Sequence, residues 1–256
     1  MPDTDPHHRA ARRSLEIIEA VAEGDGLSLS ELARRVELPK STAHSLVQTL
    51  AGDGFLERAP GGGTYVLGPR MLRLLGRLPD QFELPRVARP MMETLVERVQ
   101  ETAILGVRSG TSIVYVEQVE APQYIRYAAP LGEARPLYSS SIGKLFTAAM
   151  SADELDELLN ELAPTRFTDA TTIDAEAITA ESRQVAAQGY ALNRGETIDG
   201  VVAIAAPIYR GNDSDRPLLA GLSLAGPADR VNRRLDELRR LVLATAQQIG
   251  STLKPR

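Results

Sequence analysis

One short stretch of the chain carries side chains that could read a nucleic acid. Between Lys40 and Leu50, residues at helical spacing divide into an apolar stripe and a polar remainder. The stripe contains Ala43, Leu46, Val47 and Leu50. The remainder holds one cation with hydroxyl, amide and imidazole groups, which can bond phosphates and base edges in a DNA major groove. It consists of Lys40, Ser41, Thr42, His44, Ser45, Gln48 and Thr49.

Further elements are needed to hold that stretch in a groove. Ser28 followed by Glu31 forms a capping box, so a first helix is predicted to begin at Ser28. Pro39 ends this helix and suits the first turn of the next one. Two short strand-like runs then flank a glycine-rich tip at 60–63, which predicts a hairpin. Together these elements predict a winged helix-turn-helix over residues 27–67, with double-stranded DNA as its partner.

A simpler interpretation of the two helices is a generic helical pair with no role in DNA binding. The hairpin after them, and a further helix before them, favour the DNA-binding interpretation. We expect that preceding helix to have one apolar face. This face is predicted to contain Leu15, Ile18, Val21 and Ala22.

The predicted DNA-binding module has no excess of positive charge. Residues 1–79 contain ten basic and ten acidic residues, so the formal charge of −5 comes from the rest of the chain. With few phosphate contacts, one module should bind weakly, and we expect a homodimer or homotetramer in which linked modules raise the affinity. The side chains expected on the DNA face, besides those of the second helix, are Arg12, Arg13, Ser28 and Arg58.

The remainder of the chain lacks the usual groups of a catalytic site. The three histidines stand at positions 7, 8 and 44, and cysteine is absent. This excludes Ser–His and Cys–His catalysis from residues 80–256, and zinc held by histidine or thiolate as well. Catalysis by paired carboxylates is the alternative left open. We expect no enzyme, no catalytic residue, no metal and no cofactor, and interpret the region as a sensor.

Composition and periodicity divide the chain into four segments. Residues 1–10 are polar with two prolines, and a disordered tail is predicted there. The winged helix-turn-helix fills residues 11–68. Residues 69–79 form an apolar linker helix, predicted to end at Pro79 and to pack on a second subunit or, alternatively, on its own domain. Residues 80–256 form a domain for effector binding and oligomerisation.

The pattern of elements in the last segment predicts the fold class. Hairpin-linked strands, then helices, then hairpin-linked strands indicate an α+β domain with a largely antiparallel sheet. Strands are predicted at Thr102–Val107, Ser112–Val119, Tyr124–Ala129, Val201–Tyr209 and Leu218–Ala225. Helices are predicted at Leu84–Glu101, Ser141–Met150, Ala152–Leu162, Asp174–Gln188 and Asp229–Leu253.

Membrane and export signals are not expected in this chain. No stretch approaches the roughly 18 apolar residues of a membrane helix. No signal peptide precedes the first predicted helix. We therefore expect a cytoplasmic protein with no membrane partner, and the absence of cysteine fits a reducing compartment.

The order and spacing of several short segments resemble the IclR family of bacterial transcription regulators. The resemblance extends from about Arg12 to Leu253, and it is specific only when the segments are taken together. In the first part they are Leu38–Thr42, Gly54–Arg58 and Tyr65–Arg70, and in the second part Arg135–Lys144, Gly189–Ala191, Ala205–Ile208 and Ser223–Pro227.

This resemblance implies a GAF-like second domain that binds a small metabolite, in a dimer or tetramer that represses or activates transcription. The effector is expected beside the start of a helix near Ser141, where the unpaired backbone N–H groups of Ser141, Ile142 and Gly143 can bind a carboxylate. Plain helix capping by residues 139–141 is the alternative. The effector-binding residues implied are Tyr124, Tyr127, Arg135, Ser140, Ser141, Ile142, Gly143, Asn193, Glu196, Ala203, Ser223 and Ala225.

Several residues depart from the family pattern. Members that bind small keto acids tend to have Asp, Cys and Ser where this chain has Asn193, Ala203 and Ala225. Tyr124 and Tyr127 stand where aliphatic residues are usual. These changes make the predicted pocket less polar, which favours a larger and partly apolar acid, such as an aromatic one. In the second helix of the DNA-binding module, Ser45 stands where arginine is common, so one DNA contact that is usual in the family is expected to be missing here.

Two functions follow from these patterns. The first is a ligand-responsive transcriptional regulator, predicted to be a repressor, that binds a palindromic operator and senses a small organic acid. The alternative is a DNA-binding protein whose C-terminal domain only oligomerises. A screen for acids that raise the melting temperature would separate the two, because a ligand that binds the native state stabilises it by mass action.

Overall fold

The computed structural model describes residues 6–24, 26–75, 79–213 and 216–253. The chain divides into two compact units, which are described separately below. The first is Met1–Phe82 and the second is Glu83–Arg256.

The first unit is a winged helix-turn-helix. Its second helix begins at the predicted capping box: the Ser28 hydroxyl accepts from the Glu31 amide, and the Glu31 carboxylate accepts from the Ser28 amide. The two strands pair antiparallel and are joined by a turn in which Gly61 and Gly62 have positive φ. The elements are α1 (Pro6–Ala22), α2 (Leu29–Arg35), α3 (Lys40–Gly52), β1 (Leu56–Arg58), β2 (Tyr65–Leu67) and α4 (Pro69–Leu75).

Helix α1 corrects two predictions. It begins at Pro6, so the disorder predicted for residues 1–10 does not hold from Pro6 onward, while residues 1–5 lie outside the described part of the chain. Proline is favoured in the first turn of a helix because it has no N–H to leave unpaired. The buried face also differs from the predicted one, since Leu15 and Ala22 are exposed. Its buried residues are Ile17, Ala20 and Val21, which pack on α2, α3 and β2.

The predicted linker helix is present as α4, which ends at Leu75. Residues 76–78 lie outside the described part, and Pro79 is the first residue of the next helix, α5, rather than the end of α4. Two of its apolar side chains, Leu72 and Leu74, are exposed.

The second unit is built on one antiparallel sheet of six strands, in the order β5-β4-β3-β8-β7-β6. This is the α+β architecture predicted from the sequence. Its elements are α5 (Pro79–Val99), β3 (Thr102–Ser109), β4 (Ser112–Val119), β5 (Ala134–Pro136), α6 (Ser141–Ala148), α7 (Ala152–Leu162), α8 (Ala175–Gln188), β6 (Ala191–Arg194), β7 (Val201–Ile208), β8 (Ala220–Pro227), α9 (Ala228–Arg233) and α10 (Leu235–Thr252).

The strand alternation divides the core into two layers. Leu222 and Leu224 of β8 face α5 and α10, which cover one side of the sheet. Ala225 and its neighbour Ser223 face the other side, where α6, α7 and α8 pack. Because successive residues of a strand point to opposite faces, small residues on this second side leave room between the sheet and α6.

Three predicted elements of the second unit differ from the structure. The segment Tyr124–Ala129 is not a strand. The edge strand next to β4, on the side away from β3, is Ala134–Pro136 instead. The strand β6 was not predicted. The last helix is split at Arg234, where the backbone has φ −122° and ψ 19° and leaves the helical region. Among the described helices, none has both the length and the apolar character needed to cross a membrane.

Candidate functional site

Helix α3 exposes the side chains that the sequence assigned to DNA. Ala43, Val47 and Leu50 are buried and Leu46 is half-buried, as the apolar stripe predicts. The polar remainder is therefore confirmed as the outer face of the helix, whereas its contact with DNA stays a prediction. Its exposed members are Lys40, Ser41, Thr42, His44, Ser45, Gln48 and Thr49.

The cations predicted on the DNA face differ in how they are paired. Arg12 and Arg13 both lie against Glu16, with N–O distances of 3.5 and 2.7 Å. Arg13 also donates to the Val36 carbonyl oxygen at the end of α2 (3.2 Å), so it joins α1 to α2. Lys40 is exposed and has no acidic partner among the described residues. Of these three cations, Lys40 is therefore the best placed to bind a DNA phosphate.

The hairpin and α3 meet at Tyr65, a residue that the sequence analysis did not assign to the site. The Tyr65 hydroxyl accepts from Gln48 Nε2 and from Arg58 Nη2, both at 3.3 Å. The Arg58 guanidinium lies 5.5 Å from the centre of the Tyr65 ring. Ser28, by contrast, uses its hydroxyl as the cap of α2, and its proposed DNA contact stays a prediction.

The second unit contains a cavity between the sheet and the start of α6. The cavity is partly open to solvent. Five residues that were not predicted contribute to it: Ile104, Tyr115, Thr197, Ile198 and Val201. The predicted residues that line it are Tyr127, Ser140, Ser141, Asn193, Ala203, Ser223 and Ala225.

The start of α6 supplies fewer N–H groups than predicted. Ser140 is its N-cap, and the Ser140 hydroxyl accepts from the Gly143 amide (3.0 Å) and donates to the Pro136 carbonyl oxygen (2.9 Å). The Gly143 amide is therefore already paired. Within the described structure, the amides of Ser141 and Ile142 have no hydrogen-bond partner. Two N–H groups, rather than three, remain for a carboxylate.

Gly143 and Ile142 serve packing and do not line the cavity. A methyl group at Gly143 would overlap the Leu137 carbonyl oxygen, so only glycine allows this close approach. The Ile142 side chain is buried against Gly106 and Gly221 on the sheet. Both residues fix the position of α6 over the strands.

A group of hydroxyls and one amide forms a polar wall of the cavity. Ser141 Oγ and Ser223 Oγ are 3.0 Å apart and join α6 to β8. Asn193 Nδ2 donates to the Ser139 carbonyl oxygen and to Thr197 Oγ1 (2.8 Å). The amide of Asn193 is thus engaged in holding the wall together.

Glu196 does not line the cavity, contrary to prediction. Its carboxylate accepts from the ammonium group of Lys144 at 2.6 Å, and the same ammonium donates to Glu181 (2.7 Å) and to the Leu192 carbonyl oxygen (3.1 Å). The Lys144 side chain is only 2% exposed. Burial raises the pKa of Glu196, although Lys144 acts in the opposite direction. These contacts fix α6 against α8 and the end of β6.

Two tyrosines form the side of the cavity near β4. Tyr115 and Tyr127 interact through their hydroxyl groups, and burial raises the pKa of both. The charge of Arg135 acts on both hydroxyls and opposes this rise. Arg135 itself bonds to Glu133 (3.0 Å) and is not among the residues that line the cavity, contrary to prediction.

Tyr124 is the clearest correction among the predicted effector residues. Its side chain is fully exposed, so it forms no wall of the cavity. The loop that carries it is held by Arg230, which donates to the Ile125 carbonyl oxygen (2.9 Å) and binds Glu101 through two nitrogens at 2.7 and 2.8 Å. Tyr127 of the same segment does line the cavity, so the two tyrosines that the resemblance paired lie in different environments.

No metal centre is found in the described ranges, where no three His, Asp or Glu side chains are grouped to hold an ion. Two candidate sites therefore remain without a metal. One is the exposed polar face of α3 with the hairpin of β1 and β2, and the other is the cavity of the second unit, lined by hydroxyl groups, aliphatic groups and tyrosines.

Comparison with known proteins identifies the family. The family model of the IclR helix-turn-helix domain matches residues 10–60, and that of the bacterial transcriptional regulator IclR C-terminal domain matches residues 78–251. The HTH-type transcriptional regulator BhcR of Paracoccus denitrificans (strain Pd 1222) is 33% identical over 249 residues, which cover 97% of this chain and 88% of that protein. The transcriptional repressor IclR of Escherichia coli (strain K12) is 27% identical over 241 residues, with coverage of 93% and 87%.

Solved structures agree with the sequence comparison. An IclR homolog from Microbacterium hydrocarbonoxydans, crystallised in complex with 4-hydroxybenzoate, has a TM-score of 0.77 at 26% identity and covers 95% of this chain and 98% of its own. The relatives are transcriptional regulators and not enzymes, in agreement with the expectation that this chain is no enzyme. The chain belongs to the IclR family of bacterial transcriptional regulators.

Proposed function

We propose that this regulator is a repressor that binds a palindromic operator as a homo-oligomer and responds to an aromatic acid. The observation that carries the proposal is the composition of the cavity wall. Ser141 and Ser223 contribute hydroxyls to this wall, and Ser141 is the first residue of α6. Ala203 and Ala225 leave an apolar surface on the sheet, and Tyr115 and Tyr127 add aromatic surface.

The polar wall and the apolar wall of the cavity together orient the ligand. Its carboxylate bonds the amide of Ser141, where the partial positive charge of a helix start favours an anion. Its ring lies against Ala203, Ala225 and the tyrosines. Each buried methylene-sized group contributes about 0.8 kcal/mol, so an aromatic acid binds more tightly than a two- or three-carbon acid.

The complex of the Microbacterium homolog with 4-hydroxybenzoate supports this class of ligand. That molecule has a carboxylate at one end and a phenol at the other. In this chain, the hydroxyl wall and the tyrosine pair offer polar groups for both. We therefore choose benzoate and its monohydroxy derivatives as probes.

The proposal is tested by thermal denaturation and calorimetric titration of the purified protein with these acids, with glyoxylate and pyruvate as small acids for comparison. We expect the aromatic acids to raise the melting temperature and the small acids to have a lesser effect. Ala203→Leu should abolish the response by filling the cavity, whereas Ala186→Leu, at an exposed site on α8, should leave it intact. A response to glyoxylate alone, or an unchanged response in Ala203→Leu, would contradict the proposal.

The oligomer is supported by α4. Leu72 is 70% exposed and Leu74 is 45% exposed, an apolar surface that a second copy can cover. Two-fold symmetry in the protein then implies inverted half-sites in the operator. Sedimentation at micromolar concentration and footprinting on selected duplexes test this part. A monomer that binds one asymmetric half-site would contradict it.

A further inference from the structure

The backbone of Tyr65 is held from both sides. On one side it pairs with Arg58 of β1, and on the other it exchanges two hydrogen bonds with Leu27, at 2.8 and 3.1 Å. The residue is 4% exposed and belongs to the core of the first unit. Its hydroxyl therefore occupies a fixed point between the hairpin and α3.

Two exposed side chains are held by hydrogen bonds to that hydroxyl. Gln48 extends from the outer face of α3 and donates to the Tyr65 oxygen, and Arg58 donates to the same oxygen from the hairpin. Long side chains such as these lose considerable rotamer entropy when they are fixed. In this protein a buried tyrosine fixes them before any DNA is bound.

After its hydrogen bond to Tyr65, the side-chain amide of Gln48 keeps further groups that can bond to DNA. One N–H of its amide is used by Tyr65, so the second N–H and the carbonyl oxygen remain. This is the pair that recognises adenine in the major groove, where the N–H donates to N7 and the oxygen accepts from the 6-amino group. Arg58 likewise retains N–H groups that can bond a phosphate oxygen.

We propose that Tyr65 is a positioning residue for DNA reading: its hydroxyl orients the Gln48 amide toward an adenine and holds Arg58 of the hairpin at the adjacent phosphate. The proposal rests on the DNA binding of the helix-turn-helix and is independent of the effector. It predicts that Tyr65 sets base preference although it does not itself contact a base.

The test is selection of duplexes from a randomised pool by the full-length protein, in four forms: wild type, Tyr65→Phe, Gln48→Ala and the double variant. Tyr209→Phe, in the second unit, is the matched control. Enrichment by the wild type tests DNA binding itself, and comparison of the variants tests Tyr65. We expect Gln48→Ala to lose the preference for adenine at one position in each half-site, and Tyr65→Phe to weaken it there by about three- to tenfold.

A merely structural role for Tyr65 gives a different pattern. It would lower the melting temperature and the affinity for every duplex alike. We expect instead that Tyr65→Phe adds nothing to Gln48→Ala at that position, and that Tyr209→Phe selects the wild-type site. Retention of the full adenine preference in Tyr65→Phe, or no position that depends on Gln48, would overturn the proposal.

Discussion

The DNA-binding head and the effector domain use polar groups in opposite ways. On α3 the polar side chains point outward, and Lys40 has no acidic partner among the described residues. Around the cavity the polar groups are mostly bonded to one another, as Asn193 is to Thr197 and Ser141 is to Ser223. Exposed groups can be changed with little effect on stability, whereas groups in a buried network stabilise the fold and shape the site together.

The largest effect is expected in the buried network of the effector domain. Lys144→Met removes the cation between Glu196 and Glu181 and leaves a buried carboxylate without a counter-ion. We expect a loss of about 3–5 kcal/mol in the free energy of unfolding, measured in urea. Glu196→Gln in the same chain should restore part of it. A loss below about 1 kcal/mol for Lys144→Met would show that this network does not stabilise the domain.

One substitution made in both regions sharpens the contrast. Ser28 and Ser140 are both helix N-caps, but Ser140 is 3% exposed and also donates to Pro136. Ser28→Ala should cost about 1 kcal/mol, since water can replace the lost cap. Ser140→Ala should cost about 2 kcal/mol, because the Gly143 amide is left buried without a partner. Equal losses in urea denaturation would argue against the contrast.

The smallest effect on stability is expected at Lys40. Lys40→Ala should change the free energy of unfolding by less than about 0.5 kcal/mol. It should weaken binding to all duplexes alike and reduce the slope of log affinity against log salt by about one. Arg183→Ala, at an exposed cation on α8, is the control and should leave the slope unchanged. A changed base preference with the slope intact would mean that Lys40 reads a base.

The two regions also differ in what could be predicted from sequence. The capping box at Ser28 and the outer face of α3 depend on local spacing, and both were predicted correctly. The face of α1 was wrong although it too is helical. Ile17 and Ile18 are adjacent, so the apolar face of the helix can be centred on either of them. In the structure, packing on α3 buries Ile17 and leaves Leu15 exposed.

The cavity residues depend on contacts that local patterns do not contain. Nothing in the sequence shows that Gly143 is needed for packing on the Leu137 carbonyl, or that Glu196 meets Lys144. Tyr115 could have been found, because it follows Ile113 at strand spacing and shares its face. Tyr124 was assigned to the pocket from the family resemblance, whereas in this structure it lies fully exposed on a loop.

The most direct test of the account links the two regions. A duplex enriched by the wild-type protein is titrated with wild type and with Ala203→Leu, each with and without saturating aromatic acid. We predict equal affinity without the acid, and weaker binding on addition of the acid in the wild type alone. An affinity that no aromatic acid changes, or that changes equally in Ala203→Leu, would contradict the claim that this cavity controls DNA binding.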